Sequence, residues 1–384
     1  MLETFELFYE SASVGDVLGV NRYLDSGEID INLRHPAMDG RRTALHVACN
    51  NDHLQVAKVL VNRGADISKE DDNGDTPLHL ACEIASFRIV RFLSSRGAAM
   101  EKKNRRYGLT PLGIACSSCD SELIELLLDQ GADINTKDND GNTALHVLWN
   151  SNLVRLFLDR GADVHATNDG QQTPLHCACQ KSFLAISRLL LDHGANKETK
   201  NEDGYTPLHS ACREGHSAIV KLLLERHANT EATDEEGITP LCTACESGHS
   251  DVAKILLDGG ANLEAMDGGN QTPIFYACYG GDAAVVKVLL DQGANAGVKD
   301  NDDTTPLHIA CQHGYSEAVI LLLDRGVNVE AKRKDKMTAL HLSCYNNHFQ
   351  VVWLLLSRFP WLVLGRPNVV EAQKKKKTKK QRIC

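Results

Sequence analysis

Histidine and cysteine stand three residues apart at six places: His46/Cys49, His79/Cys82, His176/Cys179, His209/Cys212, His308/Cys311 and His341/Cys344. On a helix this spacing sets both side chains on one face, one turn apart, and both are zinc ligands. A zinc site needs four donors converging within about 2.3 Å of the metal, so two such pairs would have to meet. A seventh histidine, His146, has Trp149 in place of the cysteine, and Cys119, Cys177 and Cys242 complete no zinc-knuckle pattern. The glycine pairs Gly259-Gly260, Gly268-Gly269 and Gly280-Gly281 lead into neither a GxGxxG phosphate cradle nor a Walker lysine. No nucleophile sits beside a base, and the abundant carboxylates fall in turns with no enclosing pocket to raise their pKa. These residues predict no enzyme, no metal site and no cofactor.

The spacing has another source. Threonine recurs at Thr43, Thr76, Thr110, Thr143, Thr173, Thr206, Thr239, Thr272, Thr305 and Thr338, at intervals of 33, 34, 33, 30 and then five of 33. Such a period means one supersecondary unit copied and stacked. Nine of the 13 cysteines lie six residues after these threonines, so one small buried position is being refilled each time. Equivalent cysteines in neighbouring units are expected about 10 Å apart, a helix diameter. That is too far for a disulfide, and a reducing compartment, the cytoplasm, follows. No stretch is apolar for the roughly 18 residues of a membrane span. The acidic start, MLETFELFYESASVGD, is unlike a signal peptide.

Residues 201–233 show the unit. Asn201-Glu202-Asp203-Gly204 makes a turn; Thr206 caps a helix with Pro207 at its first position. Leu208, Ala211 and Cys212 face inward, Gly215 ends the helix, and Ile219, Val220, Leu222, Leu223 and Leu224 form the apolar face of a second one. Two helices of about eight residues cannot hold alone, because nucleation is costly and one side of the pair stays apolar. Stacking on neighbours must supply the stability.

Unit length and helix start resemble the ankyrin-repeat family. TPLH stands at 76–79, 173–176, 206–209 and 305–308, TALH at 43–46, 143–146 and 338–341, with departures TPLG at 110–113, TPLC at 239–242 and TPIF at 272–275. The resemblance covers residues 1–358. It implies an all-α repeat solenoid with β-hairpin fingers set at right angles to the helices, and short first helices lining a concave face. It also implies that the recurring histidine supports its turn and the adjoining unit through hydrogen bonds. Ten recognisable units follow an N-terminal capping unit at 1–40. The solenoid runs over 41–358, a hydrophobic C-terminal cap segment over 359–371 and a disordered basic tail over 372–384. The short unit at Thr143 puts Trp149 in the cysteine slot, where its ring is expected in the core.

Function is expected in what varies between the fixed positions: binding of a protein partner by a monomeric scaffold. The variable inner-helix sites include Gln180/Lys181, Arg213/Glu214, Gln312/His313, Tyr279 and Tyr345, with Tyr276 as a further aromatic anchor. Most fingers are acidic, but Lys102, Lys103, Arg105 and Arg106 make one basic, and Lys332, Arg333, Lys334 and Lys336 make its counterpart. Residues 366–384 carry eight Lys/Arg against Glu371, a charge of +7, which leaves −17 on residues 1–365 of the total −10. The run Lys374, Lys375, Lys376, Lys377, Lys379, Lys380 and Arg382 resembles a nuclear-import signal and would also suit nucleic acid or anionic lipid. The alternative function is therefore a nuclear or nucleic-acid-associated regulator acting through that tail.

Overall fold

The computed structural model describes residues 2–35 and 40–364. These divide into two compact units, meeting in sequence at Asn196–Lys197. The first contains α1 (Leu2–Val14), α2 (Val17–Asp25), α3 (Ala44–Asn50), α4 (Leu54–Asn62), α5 (Pro77–Glu83) and α6 (Phe87–Ser95). It continues with α7 (Pro111–Ser118), α8 (Ser121–Asp129), α9 (Ala144–Val147), α10 (Ser151–Asp159), α11 (Pro174–Gln180) and α12 (Leu184–Asp192). The second contains α13 (Pro207–Arg213), α14 (Ser217–Glu225), α15 (Pro240–Glu246), α16 (Ser250–Asp258), α17 (Pro273–Gly280) and α18 (Ala283–Asp291). It ends with α19 (Pro306–His313), α20 (Ser316–Asp324), α21 (Ala339–Tyr345), α22 (Phe349–Arg358) and α23 (Trp361–Leu364). From α3 to α22 the helices alternate between a short inner one, starting at a repeat threonine, and an outer one. Inner helices pack on inner helices and outer on outer, as in α13 on α15 and α14 on α16.

Seven of the ten described inner helices start the same way. Thr206 has extended backbone, and its side chain accepts the His209 N–H. The Thr206 N–H in turn donates to His209 Nδ1 at 3.2 Å, and the Thr206 hydroxyl lies 2.9 Å from the same nitrogen. With Nδ1 accepting, the proton sits on Nε2, which donates to the Ile238 carbonyl of the next repeat at 3.1 Å. Equivalent bonds run from His46 to Asp75 O, His79 to Leu109 O and His146 to Gln172 O, each just before the next repeat threonine, whereas His308 reaches Ala331 O, earlier in the next finger. One ring thus caps its own helix and ties it to its neighbour. Where phenylalanine replaces the histidine, at Phe275, the Thr272 hydroxyl is buried with no partner.

A second histidine, at the corner between helices, ties three of the repeats backwards. His249 Nε2 lies 3.0 Å from Arg213 O, His348 Nε2 2.9 Å from Gln312 O, and His53 Nε2 2.9 Å from Ser13 O. The corner glycine serves this contact. Gly215 has φ +75°, and a Cβ there would come within 2.6 Å of the His249 ring.

The fingers differ from the expectation: no β-strand, and so no β-hairpin, exists among the described residues. Each finger is a tight turn closed by its own side chain. Asp71 Oδ1 accepts the N–H groups of Asn73 and Asp75, and Asp71 N–H donates to Asp75 O at 2.8 Å. Neighbouring fingers share single backbone bonds, such as Arg105 N–H to Asn73 O at 2.7 Å and Lys334 N–H to Asp302 O at 3.0 Å. A ladder needs repeated bonded pairs along both strands, and the aspartate consumes the donors that would extend it.

The short repeat corrects a second expectation. Its inner helix α9 has only four residues, and Leu148 is already extended. The chain then runs directly into Asn150, whose side chain caps α10. Leu148 therefore fills the core at 2% exposure, whereas Trp149 is 48% exposed and stacks on Phe183 at 4.9 Å. Counting six residues from the threonine fails because the helix ends one turn early.

Around the cores, the inner-helix cysteines Cys49, Cys82, Cys116, Cys179, Cys212, Cys245, Cys278 and Cys311 are buried, and none of the 12 described cysteines forms a disulfide. At the start, Phe8, Tyr9 and Ala12 of α1 are fully buried against the repeat behind them. At the other end, α23 packs on α22, while His341, Cys344 and Tyr345 of α21 are exposed.

Two measurements follow. Truncating Leu148→Ala should cost about 2–4 kcal/mol through the cavity it leaves. Trp149→Ala should cost no more than about 1.5 kcal/mol, the worth of an aromatic pair at a half-open site. A Trp149→Ala loss larger than that of Leu148→Ala in denaturant melts would contradict the packing described.

The second concerns acid. Burial pushes His46 down to about 4, and lowers His79, His146 and His308 for the same leading reason. Between these values and about 6.5 the unfolded chain binds protons that the folded chain refuses. Stability is therefore complete above about pH 6.5 and falls as pH drops towards 4. Thermal midpoints should decline continuously across that window, and a flat profile would show that these rings are not held neutral.

Candidate partner-binding surface

The inner helices end in the side chains that differ most from repeat to repeat. In the first unit this slot holds Gln180, half-buried, and Lys181, exposed at the end of α11. In the second it holds Arg213 and Glu214, both exposed, and Glu246 and Ser247 on α15. The Arg213 guanidinium lies 5.9 Å from the Tyr205 ring centre. On α17 the slot is Tyr279, half-buried, and on α19 it is Gln312 and His313. Tyr345 on α21 is 79% exposed.

Of these, Tyr279, Gln312 and His313 are brought together around α17 and α19. The Tyr279 ring lies 6.3 Å from His313, which stacks on Tyr315 at 5.7 Å. The Tyr279 hydroxyl accepts from Gln271 Nε2 at 3.2 Å, and the same nitrogen reaches Asp300 at 3.3 Å. Gln312 Oε1 accepts from Arg333 at 3.4 Å. Tyr276 sits deeper, at 6% exposure, and its hydroxyl donates to Asp267 at 2.6 Å. Burial and that carboxylate push its pKa well above the ordinary phenol value. Tyr276 thus braces Asp267, Tyr279 is half-exposed, and His313 and Tyr345 are exposed.

Gly280 lets α17 approach closely: a Cβ there would stand 2.2 Å from the Glu246 carbonyl oxygen. The glycine pair noted in the sequence is thus a packing feature.

The basic finger of the first unit meets charge within the chain. Lys102 and Arg105 both pair with Glu70, at 2.6 and 2.7 Å, and the bond from Lys102 holds that carboxyl below its ordinary value. Arg106 lies over the Tyr107 ring at 5.0 Å, and Lys103 is exposed. In the counterpart finger Lys334 pairs with Asp302 and Arg333 with Asp335, each at 3.6 Å. The lysine run 374–382 lies outside the described residues.

His46, His79, His146, His209 and His308 have both ring nitrogens engaged with the backbone, and among the described residues no cluster of His, Cys, Asp and Glu could hold a metal ion. The cleft lined by Leu112, Cys116 and Ala144 encloses about 40 Å³, room for a water, and the clefts of about 420 and 480 Å³ elsewhere are shallow and open to solvent. No described helix is long and apolar enough to cross a membrane. What the arrangement offers is surface, built from fixed buried positions and changing exposed ones.

The same residues carry the family assignment. A family profile described as ankyrin repeats (3 copies) matches residues 8–106, 86–168, 147–234, 220–300 and 274–360. No curated protein matches the chain. With its matches tiled from residue 8 to residue 360, the chain belongs to the ankyrin-repeat family.

Proposed function

We propose that this chain is a non-catalytic scaffold that holds a protein partner on the ends of its inner helices and the adjoining finger turns. In the second unit the grip centres on Tyr279, Gln312, His313 and Tyr345, with Arg213 and Glu214 further along the stack. The observation that carries this reading is the contrast within each inner helix. Leu208, Ala211 and Cys212 are buried and recur from repeat to repeat, whereas the next residues, Arg213 and Glu214, are exposed and do not recur. Tyrosine and arginine on a rigid support are the side chains that dominate interface energies. On this reading the lysine run at 374–382 serves localisation between cytoplasm and nucleus, and contributes nothing to partner affinity.

The test is quantitative affinity capture from native lysate with three forms of the full chain. Tyr279→Ala, His313→Ala and Tyr345→Ala combined should lower recovery of the specific partner at least about tenfold, with helicity retained. Removal of residues 372–384 should leave recovery unchanged. Equal recovery with the triple variant, or loss on removing the tail, would reverse the assignment.

A further inference from the structure

A different face of the second unit departs from the repeat pattern. The fifth residue of each outer helix points away from the core. It is Lys221 in α14, Lys254 in α16 and Lys287 in α18, all exposed. In the first unit the same position is Lys58, Arg91, Glu125, Arg155 or Arg188. In the last two outer helices it becomes Ile320 and Trp353, with Trp353 73% exposed. The first residue changes too: Ser217, Ser250, Ala283 and Ser316 give way to Phe349, 77% exposed.

Phe349 and Trp353 are four apart and so share one helix face, opposite Val351 and Leu355, which are fully buried. With Ile320, Ser316, Gln350 and Leu354 they line an open cleft of about 420 Å³ between α20 and α22. The Ser316 hydroxyl is shielded there without a hydrogen-bond partner. A position that is charged in eight helices has become a large apolar side chain in the two that meet at this cleft.

The lysines leading up to it are available. Arg325 and Arg358 at the ends of α20 and α22 pair with Asp291 and Asp324 of the preceding helices. Lys221, Lys254 and Lys287 make no ion pair or hydrogen bond with any described residue. Packed outer helices space them about 10 Å apart. An apolar cleft therefore continues into a row of unpaired cations.

We propose that this strip binds an acidic amphipathic segment of a partner protein. Apolar residues of the segment seat against Ile320, Phe349 and Trp353, and its carboxylates face Lys287 and Lys254. Charge selects this occupant. The chain's own lysine run at 374–382 has the same sign as the row. An anionic bilayer, being broad, would also have to face the exposed Asp251, Asp258 and Glu317, which lie one turn to either side of the row. A segment one helix wide can run between these carboxylates, along the lysines and into the cleft.

The experiment is selection of a random-peptide phage library on the full chain, followed by binding of the enriched peptides by fluorescence anisotropy. Enriched sequences should combine Asp or Glu with Leu, Phe or Trp, and bind more weakly as salt rises. Ile320→Lys, Phe349→Ser and Trp353→Lys together restore the residue types of sister repeats, so the variant should fold; affinity should drop at least about tenfold. Lys254→Glu with Lys287→Glu should weaken the same peptides while leaving the cleft intact. Enrichment of uncharged or basic peptides, equal binding by the triple variant, or salt-independent binding would overturn the proposal. So would a wild-type dimer in sedimentation that the triple variant abolishes, because the strip would then belong to a second copy.

Discussion

No repeat in this chain can bury its own apolar surface. An inner helix of seven or eight residues has Leu208-type side chains on one flank and Ala211- and Cys212-type side chains on the other, and all are inaccessible only because further inner helices lie against them. Isolated helices of that length are unstable in water, since nucleation fixes several residues for one hydrogen bond. Burial between neighbours is therefore the term on which every other feature rests. It explains why small residues fill the contact, why glycine marks close approaches, and why the cysteines sit singly. The Thr–His pair adds direction to that burial. It satisfies the orphan donors at a helix start, and its remaining N–H reaches a carbonyl of the next repeat.

Where the pattern is broken, the effect stays local. Shortening α9 to four residues removes the Cys-slot helix turn, and Leu148 takes over the buried position while Trp149 stacks outside. Losing the histidine at Phe275 strands one threonine hydroxyl without disturbing the inner-helix packing on either side. At the described end of the stack, residues that are buried elsewhere become open: His341 and Cys344 occupy the positions of buried His308 and Cys311. Function can then be placed on exposed positions with little cost to the scaffold, because those positions lie outside the neighbour contact.

Much of the framework was legible in the sequence for a physical reason. Threonine at the cap, proline at the first turn and glycine at the corner each answer a backbone requirement that recurs with the period. The zinc-like His/Cys spacing was likewise resolved by the repeat: the histidine belongs to the cap and the cysteine to the core. The strands expected in the fingers came from family resemblance, and here the Asp71-type side chain closes each turn on itself instead. Trp149 was misplaced because a slot count assumes a full helix. The corner histidines His249 and His348 were missed as bridges, although the recurring Gly-His at 215–216 and 248–249 was the visible signal. The candidate surface was legible only in part, since sequence alone does not tell that Tyr276 is buried against Asp267 while Tyr279 stays half-exposed.

The dependence on neighbours is tested most directly by the most regular repeat in isolation. A synthetic peptide of residues 201–233 holds the complete turn, both helices and the Thr206–His209 cap, but lacks both adjoining repeats. Circular dichroism of this peptide as a sedimentation-verified monomer should show a largely unfolded chain with no cooperative thermal transition. A helical spectrum with a sigmoidal melt would mean that one repeat stores enough stability by itself, and would contradict the account.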